Sequence, residues 1–223
     1  MAEEIELPVP APNLPGHSVL VTGSGRRLRD VDRLPLESIG AVVVHDDGRH
    51  GTLYTANVRQ FEVLTSEWNS HLAVHDDTVA RTGTNFHAVV HAQPPNLVYL
   101  SHVPAYREDE ERFSRRLIRW QPETIVQLPA GIGILPFMLP SSDQLSAATV
   151  ESLREHRITV WSKHGVMARS DISVTRAVDR IEYAEAGARY EYMDLMAGSQ
   201  GEGLTDAESA EMVAAFVIKK KLF

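Results

Sequence analysis

Two histidines, one glutamate and two short runs of small hydroxyl residues are where this sequence could do chemistry. His91 follows a β-branched run in "VVHAQPPN", and His164 precedes Gly165 in "VWSKHGVMA". Both fall near strand ends by pattern, and in open α/β sheets ligands collect beyond the strand termini. A shared divalent-metal site and two separate core or supporting histidines are both compatible with that placement. Gly165 lets the backbone come close to whatever sits there. Strand alternation puts His87, His91 and Gln93 on one face, and Gln93 offers only a neutral amide. In "TSE", residues 65–67, the hydroxyls of Thr65 and Ser66 precede the Glu67 carboxylate. They read either as a helix N-cap or as phosphate-binding hydroxyls followed by an acid/base. Ser24 and Gly25, in "TGSGRRLRD", form either a plain turn or an anion-binding nest of N–H groups. Walker and dinucleotide-binding spacings are absent from that stretch. His71 and His75 are one helical turn apart, but the glutamate of a zinc-protease helix does not follow the first of them. His17, His45, His50, His102 and His156 lie in loops or near element ends and read as exposed or hydrogen-bonded.

The elements that must position these residues alternate along the chain. The first 17 residues are proline-rich and read as extended, because proline forbids helix and restricts its predecessor. "SVLVTG" is a strand, and "GAVVVHDDGRHGTLYTA" reads as two strands joined at "DDG". Helical spacing begins at residues 65–66 and runs to about residue 80. "FHAVVHAQ" is a strand, "NLVYLSH" a short helix, and "REDEERFSRRLIRW" a helix with acids early and arginines late. "TIVQLP" reads as a strand, "GIGILPF" as a connection, and "SSDQLSAATVESLREH" as a serine-capped helix. "ITVWSKHGVMA" reads as one strand carrying His164. A long helix from about residue 174 ends at Gly198, and "TDAESAEMVAAFVI" opens with a Thr205/Glu208 capping box. The pattern is α/β: a mixed central sheet covered by helices on both faces, in a single domain spanning residues 1–223.

Composition narrows the function classes. A formal net charge of -8 supplies no excess of basic residues to neutralise phosphates, which argues against nucleic acid as a partner. The one basic run, residues 219–221, reads as a solvated tail. The absence of cysteine excludes disulfides, thiolate catalysis and cysteine-bound zinc, so any metal would rest on histidine, carboxylate or neutral oxygen. No apolar run approaches the roughly 20 residues of a bilayer span. The chain reads as cytoplasmic and without a membrane partner.

Taken in order, "VTGSGRRLRDV", "TSEWNSHLAVH", "VVHAQPPNLVYLSH", "PAGIGILPFMLPSSDQLSAATVESL" and "VWSKHGVMA" resemble the class II aldolase/adducin family, from about residue 18 to residue 198. The resemblance implies a metal-dependent lyase that cleaves a ketose 1-phosphate, such as L-rhamnulose 1-phosphate, to dihydroxyacetone phosphate and an aldehyde. By position it implies a zinc ion, or another weakly bound divalent metal, on His91 and His164, with Gln93 standing where the family has a further histidine. It further implies Glu67 as catalytic acid/base and Ser24, Gly25, Thr65 and Ser66 as phosphate-binding residues. A small phosphorylated sugar would be the substrate, and the assembly a homotetramer. The family's usual N-terminal helical segment, ending in a Gly-Asn motif, has no counterpart in the proline-rich lead-in. Gln93 and that difference leave two alternatives in view: a non-catalytic, adducin-like member, or a related enzyme with an altered metal site, such as an epimerase or decarboxylase.

Overall fold

A computed structural model describes residues 1–216, which divide into two compact units. The tail at residues 219–221 and the end of the expected last helix at residues 217–218 lie outside the described residues. The first unit comprises Met1–Asn85 with Pro140–Ala147, and the second comprises Phe86–Leu139 with the chain from Ala148 onward.

In the first unit, β1 (Ala2–Glu6), β2 (Ser18–Thr22), β3 (Ile39–Val44) and β4 (His50–Tyr54) form an antiparallel sheet in the order β1-β4-β3-β2. Two short helices, α1 (Leu28–Arg33) and α2 (Pro35–Ser38), connect β2 to β3, and α3 (Trp68–Thr82) follows β4. The β3–β4 hairpin closes where expected. Gly48 takes the left-handed φ of 62°, and the Asp47 carboxylate accepts the backbone N–H of Arg49 at 2.8 Å and of His50 at 3.0 Å. Alternation along β3 buries Val42 and Val44 against Leu53, Val21, Leu14 and Leu72. The extended lead-in supplies β1 as an edge strand, where its prolines, placed after the strand, cost the ladder no donor.

The second unit contains β5 (Ala88–Ala92), α4 (Pro95–Leu100), α5 (Pro104–Arg107), α6 (Glu110–Ile118), α7 (Pro122–Gln127) and β6 (Gly133–Leu135). After α8 (Asp143–Glu155), whose first turn belongs to the first unit, come β7 (Ile158–Trp161), β8 (Gly165–Ser170), α9 (Val174–Met196) and α10 (Asp206–Ala215). The strand order is β5-β8-β7-β6, with only the β6–β7 pair parallel. Val90, Val160, Val166 and Ala168 of this sheet share a core with Phe113 and Leu117 of α6 and Ile181 of α9. The expected caps form in α8, where Ser142 accepts from the Leu145 N–H, and in α10, where Thr205 with Glu208 makes the capping box; Asp109 and Ser173, which the sequence reading did not single out, cap α6 and α9.

The α/β class stands, with differences in its parts. The strands divide between two four-stranded sheets where the pattern suggested one central sheet. "TIVQLP" is helical: Pro122 at the first position sets helical φ, and burial of Thr124 and Ile125 overrides the β preference of that run. "GIGILPF" contains β6, too short to show a period. "ITVWSKHGVMA" is a hairpin of β7 and β8, not one strand, because Lys163 takes a left-handed φ of 65° and reverses the chain. Among the described residues no helix is long and apolar enough to cross a membrane.

Candidate functional site

In the first unit the structure brings the two hydroxyl-bearing segments side by side. β2 ends at Thr22, and the turn after it lies against residues 63–65. The Ser24 N–H donates to the Val63 carbonyl at 2.8 Å, the Thr65 N–H donates to Thr22 at 2.9 Å, and Gly23 bridges Leu64. A side chain at residue 23 would fall 2.0 Å from the Phe61 ring, so only glycine allows this approach. Gly25 follows with a φ of 76°. Ser24, Gly25 and Ser66 are exposed and Thr65 is half-buried, so the two segments reach the surface next to each other.

Glu67, not Thr65 or Ser66, is the N-cap of α3, and its side chain makes no capping bond. The reason is geometric: Trp68 N–H already donates to the Thr65 carbonyl at 3.1 Å, closing a turn that carries both hydroxyls ahead of the helix. The Glu67 side chain is buried, at 3% exposure, and its carboxylate accepts the backbone N–H of Ser141 at 3.2 Å and the Ser141 hydroxyl at 3.3 Å. Ser141 holds a left-handed φ of 61°, and Asn69 steadies it by donating to its carbonyl at 2.9 Å. Nothing in the sequence pattern marks Ser141 as the partner of Glu67, or Asn69 as the partner of Ser141. Thr65, Ser66 and Ser141 also line a cleft whose ionisable walls, Glu3, Glu6, Glu62 and Asp143, are all acidic. Those carboxylates would repel an anion inside this cleft.

In the second unit, His91 leaves the end of β5 and His164 stands in the β7–β8 turn. Their ring centroids are 5.1 Å apart at an interplanar angle of 63°. His91 Nδ1 lies 2.9 Å from the Val166 carbonyl, an arrangement in which Nδ1 carries the proton and Nε2 the lone pair. Trp161, which sequence reasoning passed over, stacks on His91 at 4.7 Å and lies 5.1 Å from His164. Its own N–H donates to Thr149 at 2.9 Å, which fixes the indole beneath both imidazoles. The only sequence signal was an aromatic residue three positions before His164. His164 Nδ1 is buried with no hydrogen-bond partner, a vacancy in bonding that a native fold seldom leaves without use.

Gly165 decides how closely β5 and β8 can meet here. A Cβ at this position would lie 2.6 Å from the Ala92 carbonyl oxygen, 2.8 Å from His91 Cε1 and 3.3 Å from Gln93 Cγ. What approaches this glycine is thus the end of β5 itself. Gly165→Ala should lower stability by roughly 1–3 kcal/mol, the usual cost of overpacking. Denaturant unfolding measures this, and a variant as stable as the parent would show that β5 can shift freely.

Burial holds the His91 ring well below the ordinary imidazole range, at about 4; the Val166 hydrogen bond opposes this shift and the neighbouring His164 adds to it. An unfolded imidazole protonates near 6.5, so between these values the unfolded chain binds more protons than the folded one. The contribution is complete above pH 6.5 and is lost as pH falls through 4, by roughly 3 kcal/mol in all. With chelator present, stability of the parent should fall more steeply from pH 6.5 to 4 than that of His91→Phe. Equal slopes would refute this.

Three of the other histidines make local side-chain hydrogen bonds. His45 pairs with Thr52 at 2.8 Å, His50 with Asp47 at 2.6 Å, and His156 with the Ala130 carbonyl at 2.9 Å. His71 and His75 sit half-buried on α3. Among the described residues no three His, Asp or Glu side chains converge on a point that could hold a metal ion. The imidazoles of His91, bonded through Nδ1 alone, and of His164, whose buried Nδ1 has no partner, are the kind of donor a divalent ion takes, while Gln93 at the same strand end carries only a neutral amide.

Comparison with known proteins places this geometry in context. The family model for the Class II Aldolase and Adducin N-terminal domain matches residues 9–192. A rhamnulose-1-phosphate aldolase of Bacteroides thetaiotaomicron is 29% identical over 99% of this chain and 80% of its own length. One from Klebsiella pneumoniae is 31% identical over 92% of this chain and 72% of its own. Among solved structures, a sugar-phosphate aldolase from Thermotoga maritima superposes with a TM-score of 0.71 at 27% identity, covering 89% of this chain and 80% of that one.

Proposed function

Because the chain belongs to the class II aldolase and adducin family, we propose that it is a metal-dependent aldolase. Its reaction would be cleavage of a ketose 1-phosphate, such as L-rhamnulose 1-phosphate, to dihydroxyacetone phosphate and an aldehyde. The juxtaposition of the His91 and His164 rings carries this reading. These two imidazoles, with the Gln93 amide oxygen, would hold a divalent cation, zinc or one that favours oxygen more strongly. Bound there, the cation supplies Lewis-acid stabilisation of the negative charge that develops as the carbon–carbon bond breaks.

The chain's own residues do the rest. Burial keeps His91 neutral at physiological pH, so its lone pair is available without a competing proton. Ser24, Thr65 and Ser66 would bind the phosphate through their hydroxyls and Gly25 through its N–H, so that remote binding energy orients the reacting carbons. Glu67 moves the proton at the carbon next to the ketone, with Ser141 holding its carboxylate in one orientation. The same reading makes the protein a cytoplasmic homotetramer.

The test is an assay of the purified protein with several ketose 1-phosphates, reading dihydroxyacetone phosphate by its enzymatic reduction. Release that needs a divalent metal and disappears in His164→Ala is the expected result. No release from any ketose 1-phosphate, with zinc, cobalt or manganese supplied, would remove the aldolase reading in favour of an altered reaction or a binding role.

A further inference from the structure

Gln93, two residues beyond His91, packs with it against Gly165, the residue after His164, and offers a neutral amide where the family resemblance implies a further imidazole. Its Cγ lies 3.3 Å from the position a Gly165 Cβ would take, and His91 Cε1 lies 2.8 Å from that same point. The two side chains therefore crowd one spot, and the Gln93 side chain is exposed there rather than folded into the core. Among the described residues no further His, Asp or Glu completes a set of three. A catalytic zinc site ordinarily has three protein ligands of the imidazole, thiolate or carboxylate kind, and a neutral amide oxygen is a poorer donor to such an ion.

The two imidazoles are nonetheless well prepared. The Val166 carbonyl and the stacked Trp161 indole fix the plane of His91. His164 Nδ1 is buried with no hydrogen-bond partner. Such a site is rigid but short of donors, so a cation there gains most from a ligand that brings oxygens of its own. An α-hydroxyketone phosphate brings two suitably spaced, the ketone oxygen and that of the adjacent hydroxyl.

We propose that Gln93 makes metal uptake conditional on the hydroxyketone: cation and substrate bind interdependently, and the protein alone holds the cation weakly. This deepens the aldolase reading and rests on it. Linkage requires the effect to be reciprocal, with each ligand raising the affinity for the other by the same factor, typically roughly 5- to 150-fold. In such an enzyme the occupancy of the site follows the supply of substrate as well as that of metal.

The experiment is a titration of the metal-free protein with cobalt(II), followed by its visible absorption and by calorimetry. It is run without additive, with dihydroxyacetone phosphate, and with inorganic phosphate. The apparent dissociation constant for cobalt should fall at least about fivefold with dihydroxyacetone phosphate and stay unchanged with inorganic phosphate. In Gln93→His, cobalt should bind more tightly without additive, and the effect of dihydroxyacetone phosphate should shrink. Equal cobalt affinity with and without dihydroxyacetone phosphate in the parent overturns the inference. So does a Gln93→His variant that keeps the full difference. The parent comparison needs no variant to fold. If neither protein takes up cobalt under any of the three conditions, the aldolase reading itself fails, which separates the two failures.

Discussion

Glu67→Gln should slow release of dihydroxyacetone phosphate by roughly 10²–10⁴-fold, the range over which a positioned acid/base contributes. The substitution is nearly isosteric. The glutamine oxygen can still accept from the Ser141 N–H or hydroxyl, which now sit 3.2 Å and 3.3 Å from the carboxylate oxygens. The start of α3 should therefore persist, because Glu67 caps that helix with its backbone and not with its side chain. What is lost is the ability to carry a proton. The effect should appear in kcat with little change in KM, since the phosphate-binding hydroxyls are untouched. A second readout isolates the step: exchange of the carbon-bound proton of dihydroxyacetone phosphate into deuterated water, followed by NMR, should vanish along with cleavage. A variant that keeps more than about a tenth of the parent's rate would assign the proton transfer to another group.

Glu191→Ala should cost about 3 kcal/mol of stability, the lower end of what breaking a buried ion pair costs. Glu191 is completely buried toward the C-terminal end of α9. Its carboxylate accepts from Arg116 Nε at 2.7 Å, from the Trp120 indole N–H at 2.9 Å and from the Tyr106 hydroxyl, with Arg119 3.6 Å away. Burial and this carboxylate push the Tyr106 hydroxyl up to about 12, so it remains a donor at any ordinary pH. Removing the carboxylate strands an indole N–H, a phenol and a guanidinium in a region that water barely reaches. The estimate stays at the low end because Arg116 is 30% exposed and can turn partly to solvent. Glu191→Gln should fall between parent and alanine variant, since its amide oxygen can still accept while its NH₂ faces other donors. Urea unfolding followed by circular dichroism measures both variants. A loss below about 1 kcal/mol in Glu191→Ala would mean that the network contributes little beyond packing.

Sequence and structure divide the account along a clear line. Helix ends were legible where a cap lies within three residues of its target, as for Ser142 and the Thr205–Glu208 pair, though not for α3, whose expected cap at Thr65 or Ser66 did not form. The β3–β4 hairpin was legible because Asp47 and Gly48 encode a turn locally. The types of the candidate residues were legible too: an imidazole before a glycine, hydroxyls before a carboxylate, and an amide two residues beyond a histidine. Their partners were not. Ser141 meets Glu67 across 74 residues, and the Val166 carbonyl meets His91 across 75. The split of one apparent strand into β7 and β8 depends on a left-handed Lys163 that no composition rule requires. Helix α7 likewise formed against the β preference of its own residues because burial of Thr124 and Ile125 outweighed it. By itself the sequence determined which atoms could ligate, donate or carry a proton, because that chemistry belongs to each side chain. The tertiary structure alone decided that His91 and His164 face each other over Trp161 and that Glu67 is gripped by Ser141. Those pairings are made by packing between segments far apart in the chain, and neither periodicity nor turn chemistry extends beyond a few residues.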